Sequence, residues 1–132
     1  MKKYTLKREG DLYRLIAEIN LFGVRKGDKG GRVSGPDNLS HKGDCWVYEN
    51  AICADNAKVY EQARLYDYSV VCDKAKVYGS AWIVDKAIVS GNSRVFGAAL
   101  IGNSARVSGD VIIAGSVKVL GNNEISGDLI LE

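Results

Sequence analysis

The chain has 132 residues, 46% of them hydrophobic and 26% charged, with a formal net charge of +2 at neutral pH. That length suits one domain around a single core, and the near balance of charge argues against a nucleic-acid binder that relies on phosphate contacts. No apolar run approaches the ~18 residues of a membrane span, and Met1-Lys-Lys is not followed by the apolar stretch of a secretory signal, so no membrane segment and a cytoplasmic location are expected.

The N-terminal segment comes first and obeys no repeat. Tyr4 to Arg8 and Leu12 to Ile19 read as two short strands around Glu9-Gly10-Asp11, the pattern of a β-hairpin. Gly23, Gly27, Gly30 and Gly31 then predict irregular chain until Val33, and this glycine cluster matches neither a Walker loop nor a dinucleotide fingerprint. Residues 1–30 are therefore expected to cap the remainder of the chain, because the first turn of a stacked array exposes open backbone edges.

A six-residue repeat then runs from Cys45 to Glu132 without insertion or deletion. Ala57-Lys-Val-Tyr-Glu-Gln, Ala75-Lys-Val-Tyr-Gly-Ser, Ser93-Arg-Val-Phe-Gly-Ala and Ala105-Arg-Val-Ser-Gly-Asp show the frame. The first position is small in most blocks, and the third is Val, Leu, Ile or, once, Cys53. Two residues apart on a strand, these positions share a side, which must be the interior. Gly, Asn and Asp dominate the fifth and sixth positions, where they tolerate the positive φ of a corner. Such a short strict period marks a solenoid, in which each unit buries its apolar side by stacking on its neighbours. Three blocks close a coil of 18 residues, and Leu39 to Asp128 spans 90 residues, or five coils. In this frame Cys45 and Cys53 are small core residues rather than disulfide partners.

The blocks quoted above resemble the hexapeptide-repeat superfamily, and the resemblance covers residues 31–132. It implies an all-β fold, a single-stranded left-handed parallel β-helix of about five coils behind an N-terminal β-hairpin cap. Gly follows the core aliphatic directly in the acyltransferases of that superfamily. Here that place holds Tyr60, Tyr66, Tyr78, Val84 or Phe96, and Gly comes one residue later. The chain is in this respect more similar to short bacterial and phage hexapeptide proteins that carry a transferase label, a label that itself derives from fold. Those phage-borne members imply an accessory protein or a host-defence inhibitor that works by docking.

Hexapeptide enzymes resembling this fold use a His base near a projecting loop, or hold zinc through three His. His41 is the only histidine, and the repeat has no insertion to form a loop. A polar residue facing inward from the block Leu39–Asp44 is the expected role of His41; a general base at a subunit interface is the enzymatic alternative. No catalytic residue, metal site or cofactor is expected otherwise.

Assigning every third block to one face sorts the outward positions. Trp46, Trp82 and Leu100 lie on one face, and Ile52, Val70 and Ile88 on a second; these apolar strips are the expected contacts of a homo-oligomer, a dimer or trimer. The third face carries Lys58, Lys76 and Arg94 beside Tyr60, Tyr78 and Phe96: either a solvated β-face or the binding face for a macromolecular partner, an acidic protein, a polyanion or a carbohydrate. The expected function is that of a non-catalytic β-solenoid that self-associates and presents a rigid face.

Overall fold

The computed structural model describes residues 2–132. The chain forms β1 (Tyr4–Glu9), β2 (Leu12–Ala17) and β3 (Lys29–Val33), a 3-10 turn at Pro36–Asn38, and then fifteen two-residue strands from Trp46–Val47 to Ile130–Leu131. From Trp46 onward each strand pairs in parallel with the strand 18 residues later: Lys58 with Lys76, Trp82 with Leu100, Ile88 with Arg106. Three sheets result, named here for central residues as the Trp82, Ile88 and Lys76 faces. The parallel part of the Ile88 face has six strands, starting at β3, so the β-solenoid has six turns.

The repeat explains why the strands are so short. From the block that starts at Ala51 onward, position five has positive φ, at Asp55, Glu61, Asp67, Asp73, Asp85 and Asn103 as well as at the glycines. Each such corner ends a strand and turns the chain onto the next face. The acidic corners also bridge turns. Asp55 accepts the backbone N–H of Asp73 at 3.1 Å, Asp67 that of Asp85 at 3.0 Å, and Asp73 that of Gly91 at 2.9 Å. An N–H that no strand pairs is thereby satisfied. Inside, the first-position alanines from Ala51 to Ala105 are buried, as are Val47, Cys53, Leu65, Val71, Val77, Ile83, Val89 and Val95.

The first turn departs from the expected frame. Val33 pairs with Cys53 and Leu39 bridges Val59, both separations of 20 residues instead of 18. Two additional residues are accommodated in the corner between Leu39 and Cys45, and the turn begun by Val33 makes the sixth. Leu39, not His41, therefore fills the interior third position: Leu39 is buried and His41 is exposed. Gly30 and Gly31 also lie within a regular strand, contrary to the irregular chain predicted there. They are glycines because the space is taken: a Cβ on Gly30 would lie 2.6 Å from Trp46 Cζ2.

The cap is the predicted hairpin, closed by Gly10 at φ +64°. β1 pairs antiparallel with β2, and β2 antiparallel with β3, so the hairpin continues the Ile88 face beyond the first turn. The line between residues 30 and 31 falls inside β3. Tyr4, Leu15 and Ala17 join the core cluster and close its N-terminal end. Among the described residues no helix is long and apolar enough to cross a membrane.

Candidate docking face

The Lys76 face is built by five strands in exact register, so its outward residues form columns. One column runs Lys58, Lys76, Arg94, Ile112 and Ile130. Beside it Tyr60 stacks on Tyr78 with ring centroids 4.7 Å apart, and Tyr78 on Phe96 at 4.8 Å, with interplanar angles of 7° and 8°. These separations equal the strand spacing of ~4.8 Å, so the backbone period sets the stack. The ring faces are occupied by one another, which leaves their edges outward. Lys58 and Arg94 are exposed and Lys76 is half-buried. Among the described residues the one ion pair is Arg14 with Glu9, at 3.0 Å, so none of the three cations has an anionic partner.

An open groove of about 710 Å³ runs along the corner of this face, lined by Asn56, Lys74, Lys76, Asn92, Arg94, Asp110, Ile112 and Asp128. Its charge changes sign along the solenoid. Lys74, Lys76 and Arg94 belong to the N-terminal rungs, Asp110 and Asp128 to the C-terminal ones. The cationic and aromatic columns are legible in the repeat, and the reversal is carried by the sixth-position series Asn56, Lys74, Asn92, Asp110, Asp128, which lies outside the expected binding residues.

The residues expected at oligomer contacts divide. Trp46 is 1% exposed, covered by Gly30 of β3 and set edge-on to Tyr4 at 6.3 Å. It is a core residue of the cap junction, so its assignment to an interface is corrected. Trp82 is exposed and Leu100 half-buried on the same face. Higher up that face, the Arg64 guanidinium lies 4.8 Å from the ring centre of Phe22, and Tyr48 donates its hydroxyl to the Phe22 carbonyl. The N-terminal segment therefore already occupies that end. Ile52, Val70 and Ile88 form one half-buried column on their own face.

His41 stands outside the core but is not free. Its ring stacks on Tyr4 at 4.0 Å and 8°, and its Nδ1 accepts the backbone N–H of Lys3 at 3.0 Å. The neutral tautomer then carries its proton on Nε2, so no ring lone pair is left to act as a base. The residue ties the cap to the widened corner. Sequence reasoning also missed two polar residues of this junction. Lys3 is buried, and its ammonium donates to the Cys45 carbonyl at 2.7 Å and lies 3.2 Å from the Cys45 thiol. Burial raises the pKa of that thiol, against the opposing pull of Lys3. Asn38 is the second: it accepts from Gly35 N–H and donates to the carbonyls of Asp55 and Ala57.

The one cluster with metal-ligand chemistry among the described residues, Asp55, Cys72 and Asp73, has its ligand atoms within 4.8 Å of one another. Both carboxylates already accept corner N–H groups, and burial pushes the Cys72 thiol up in pKa. Compared with protein-family models and with curated proteins, the chain matches none.

The Tyr4–His41 stack predicts a pH dependence. Partial desolvation where the exposed His41 ring lies on Tyr4, then the charges of Lys3 and Lys2, hold the His41 pKa below its ordinary 6.5. Burial, then nearby Cys45 and Asp37, push Tyr4 up to about 12 from 10.0. On lowering pH the unfolded chain protonates its histidine first, so stability is lost as pH falls below 6.5. On raising pH the unfolded chain ionises its tyrosine first, so stability is also lost from pH 10 upward. Thermal melts of His41→Ala should fall less than those of the parent chain as pH drops just below 6.5; an equal fall in the two would rule out this assignment.

Proposed function

We propose that the chain is a non-catalytic β-solenoid that self-associates and docks an acidic macromolecular surface through the Lys76 face. The observation that carries this reading is the column Lys58, Lys76 and Arg94. Three cations are held one rung apart on a rigid scaffold beside stacked rings, with no anion of their own. Like charges at ~4.8 Å repel, and an acidic surface of the same pitch relieves that repulsion. The use of His41 Nδ1 as an acceptor in the cap junction supports a structural role over that of an acyltransferase base. All three cysteines are free, which suits the reducing cytoplasm. The resemblance to phage hexapeptide proteins extends the proposal to an accessory or inhibitor that acts by occupying a partner's surface.

The test is retention on a polyglutamate matrix at ~0.1 M salt, where the screening length is ~10 Å. Changing Lys58, Lys76 and Arg94 together to Glu should abolish retention while leaving the thermal melt in place, because all three side chains point outward. His41→Ala should be retained. A triple variant that still binds would overturn the assignment of the face.

A further inference from the structure

The groove on the Lys76 face carries both signs of charge, and their order fits one partner in particular. We infer that it pairs with a second copy of this chain, antiparallel, about a two-fold axis lying in the plane of the face between the rungs of Arg94 and Ile112. The inference rests on the proposed reading of this face as a docking surface and names its partner.

A two-fold axis in the plane of the face and across the solenoid reverses the order of rungs but keeps each column opposite itself. In the corner column Lys74 then meets Asp128 of the second copy, and Asn92 meets Asp110. In the neighbouring column Lys76 meets Ile130 and Arg94 meets Ile112. Each of these contacts occurs twice, as an isologous interface requires. Ile112 is half-buried and Ile130 is 62% exposed. The aliphatic stems of Arg94 and Lys76 would cover those isoleucines, with their head groups reaching Asp110 and Asp128 at the side. The four rungs span ~14 Å at ~4.8 Å each.

The Ile88 face fits the same operation less well. Its column reads Arg32, Ile52, Val70, Ile88, Arg106 and Glu124. An antiparallel copy centred on Val70 would set Arg32 against Arg106, a like-charge contact at both ends. Centred between Val70 and Ile88 it would set Arg32 against Glu124 but Arg106 against Ile52, and the corner column Asn50, Tyr68, Lys86, Ser104, Asn122 offers that arginine no acid. On the Trp82 face the N-terminal segment occupies the upper rungs through Phe22 and Arg64.

Two variants test the pairing. One changes Lys74, Lys76 and Arg94 to Glu; the other changes Asp110 and Asp128 to Lys. Light scattering of the parent chain should return twice the chain mass of 14.3 kDa, and each variant alone should return the monomer. An equimolar mixture of the two should regain the dimer, since each then carries what the other lost, and salt at ~1 M should weaken it. A parent dimer with variants that also dimerise alone would overturn this interface while leaving self-association in place. A mixture that stays monomeric would overturn it equally. A monomeric parent chain would remove the self-association reading together with this one.

Discussion

Gly31→Val is expected to cost at least about 3 kcal/mol, the upper end of what overpacking a close-fitted site does. A Cβ there would meet the Ala51 carbonyl oxygen at less than van der Waals distance, Val47 Cγ1 at 2.5 Å and the Tyr48 carbonyl oxygen at 2.6 Å. Two of those three neighbours are backbone of the next turn, held by the pairing of β3 with Ile52–Cys53. They yield only if the first rung separates from the second. Gly35→Ala is the matched control: its φ is −178° and nothing lies within 4 Å of the added methyl. Denaturant midpoints should separate the two variants clearly. Equal shifts would mean that β3 is not clamped against the second turn.

Asn38→Ala should cost about 2–3 kcal/mol. The buried amide accepts from Gly35 N–H at 2.8 Å and donates to the carbonyls of Asp55 at 3.1 Å and Ala57 at 2.8 Å. Truncation leaves those groups without partners. The Ala57 carbonyl bond is the fully buried one, and an orphaned buried group costs ~1–3 kcal/mol, while the part-buried Gly35 and Asp55 groups can turn to water. Asn38→Asp should be worse at pH 7, since a carboxylate there would face two carbonyl oxygens. Burial and those oxygens would raise the pKa of the introduced carboxyl above the ~3.9 of an unfolded Asp. The deficit should therefore shrink as pH falls and the group protonates into a donor. Urea midpoints at pH 7 and pH 4, each against the parent chain, measure this. An Asp variant as stable as the parent at pH 7 would refute the donor role of the amide.

The repeat makes the solenoid legible because two constraints act at every block: a small residue where the chain bends and a branched aliphatic two residues later. Residues at the same block position 18 apart stack, so the columns Lys58–Lys76–Arg94 and Tyr60–Tyr78–Phe96 can be read directly. The first turn misleads because six residues from Leu39 to Asp44 fit the frame by length. Its composition carries the contrary signal. A leucine stands in the small position and a histidine in the aliphatic one, which a register shifted by two residues resolves. The burial of Trp46 has no such signal, since its outward position is regular and the cover comes from Gly30 and Tyr4 of a non-repeating segment. Asn38 and Lys3 are hidden for the same reason: their partners are backbone carbonyls, which leave no pattern in the sequence.

The 18-residue register restricts how such a molecule can change length. Adding or removing one six-residue block would carry every later side chain onto the neighbouring face, scrambling the charge order of the Lys76 groove. A change of three blocks would leave each face intact and alter the rod by a single rung, ~4.8 Å. Length is thus available only in whole turns, and a gain of one would also move the centre of the antiparallel pairing by half a rung. Natural or engineered variants of this chain should accordingly differ by multiples of 18 within the repeat, with other insertions confined to the corner between Leu39 and Cys45, where two additional residues are already accommodated.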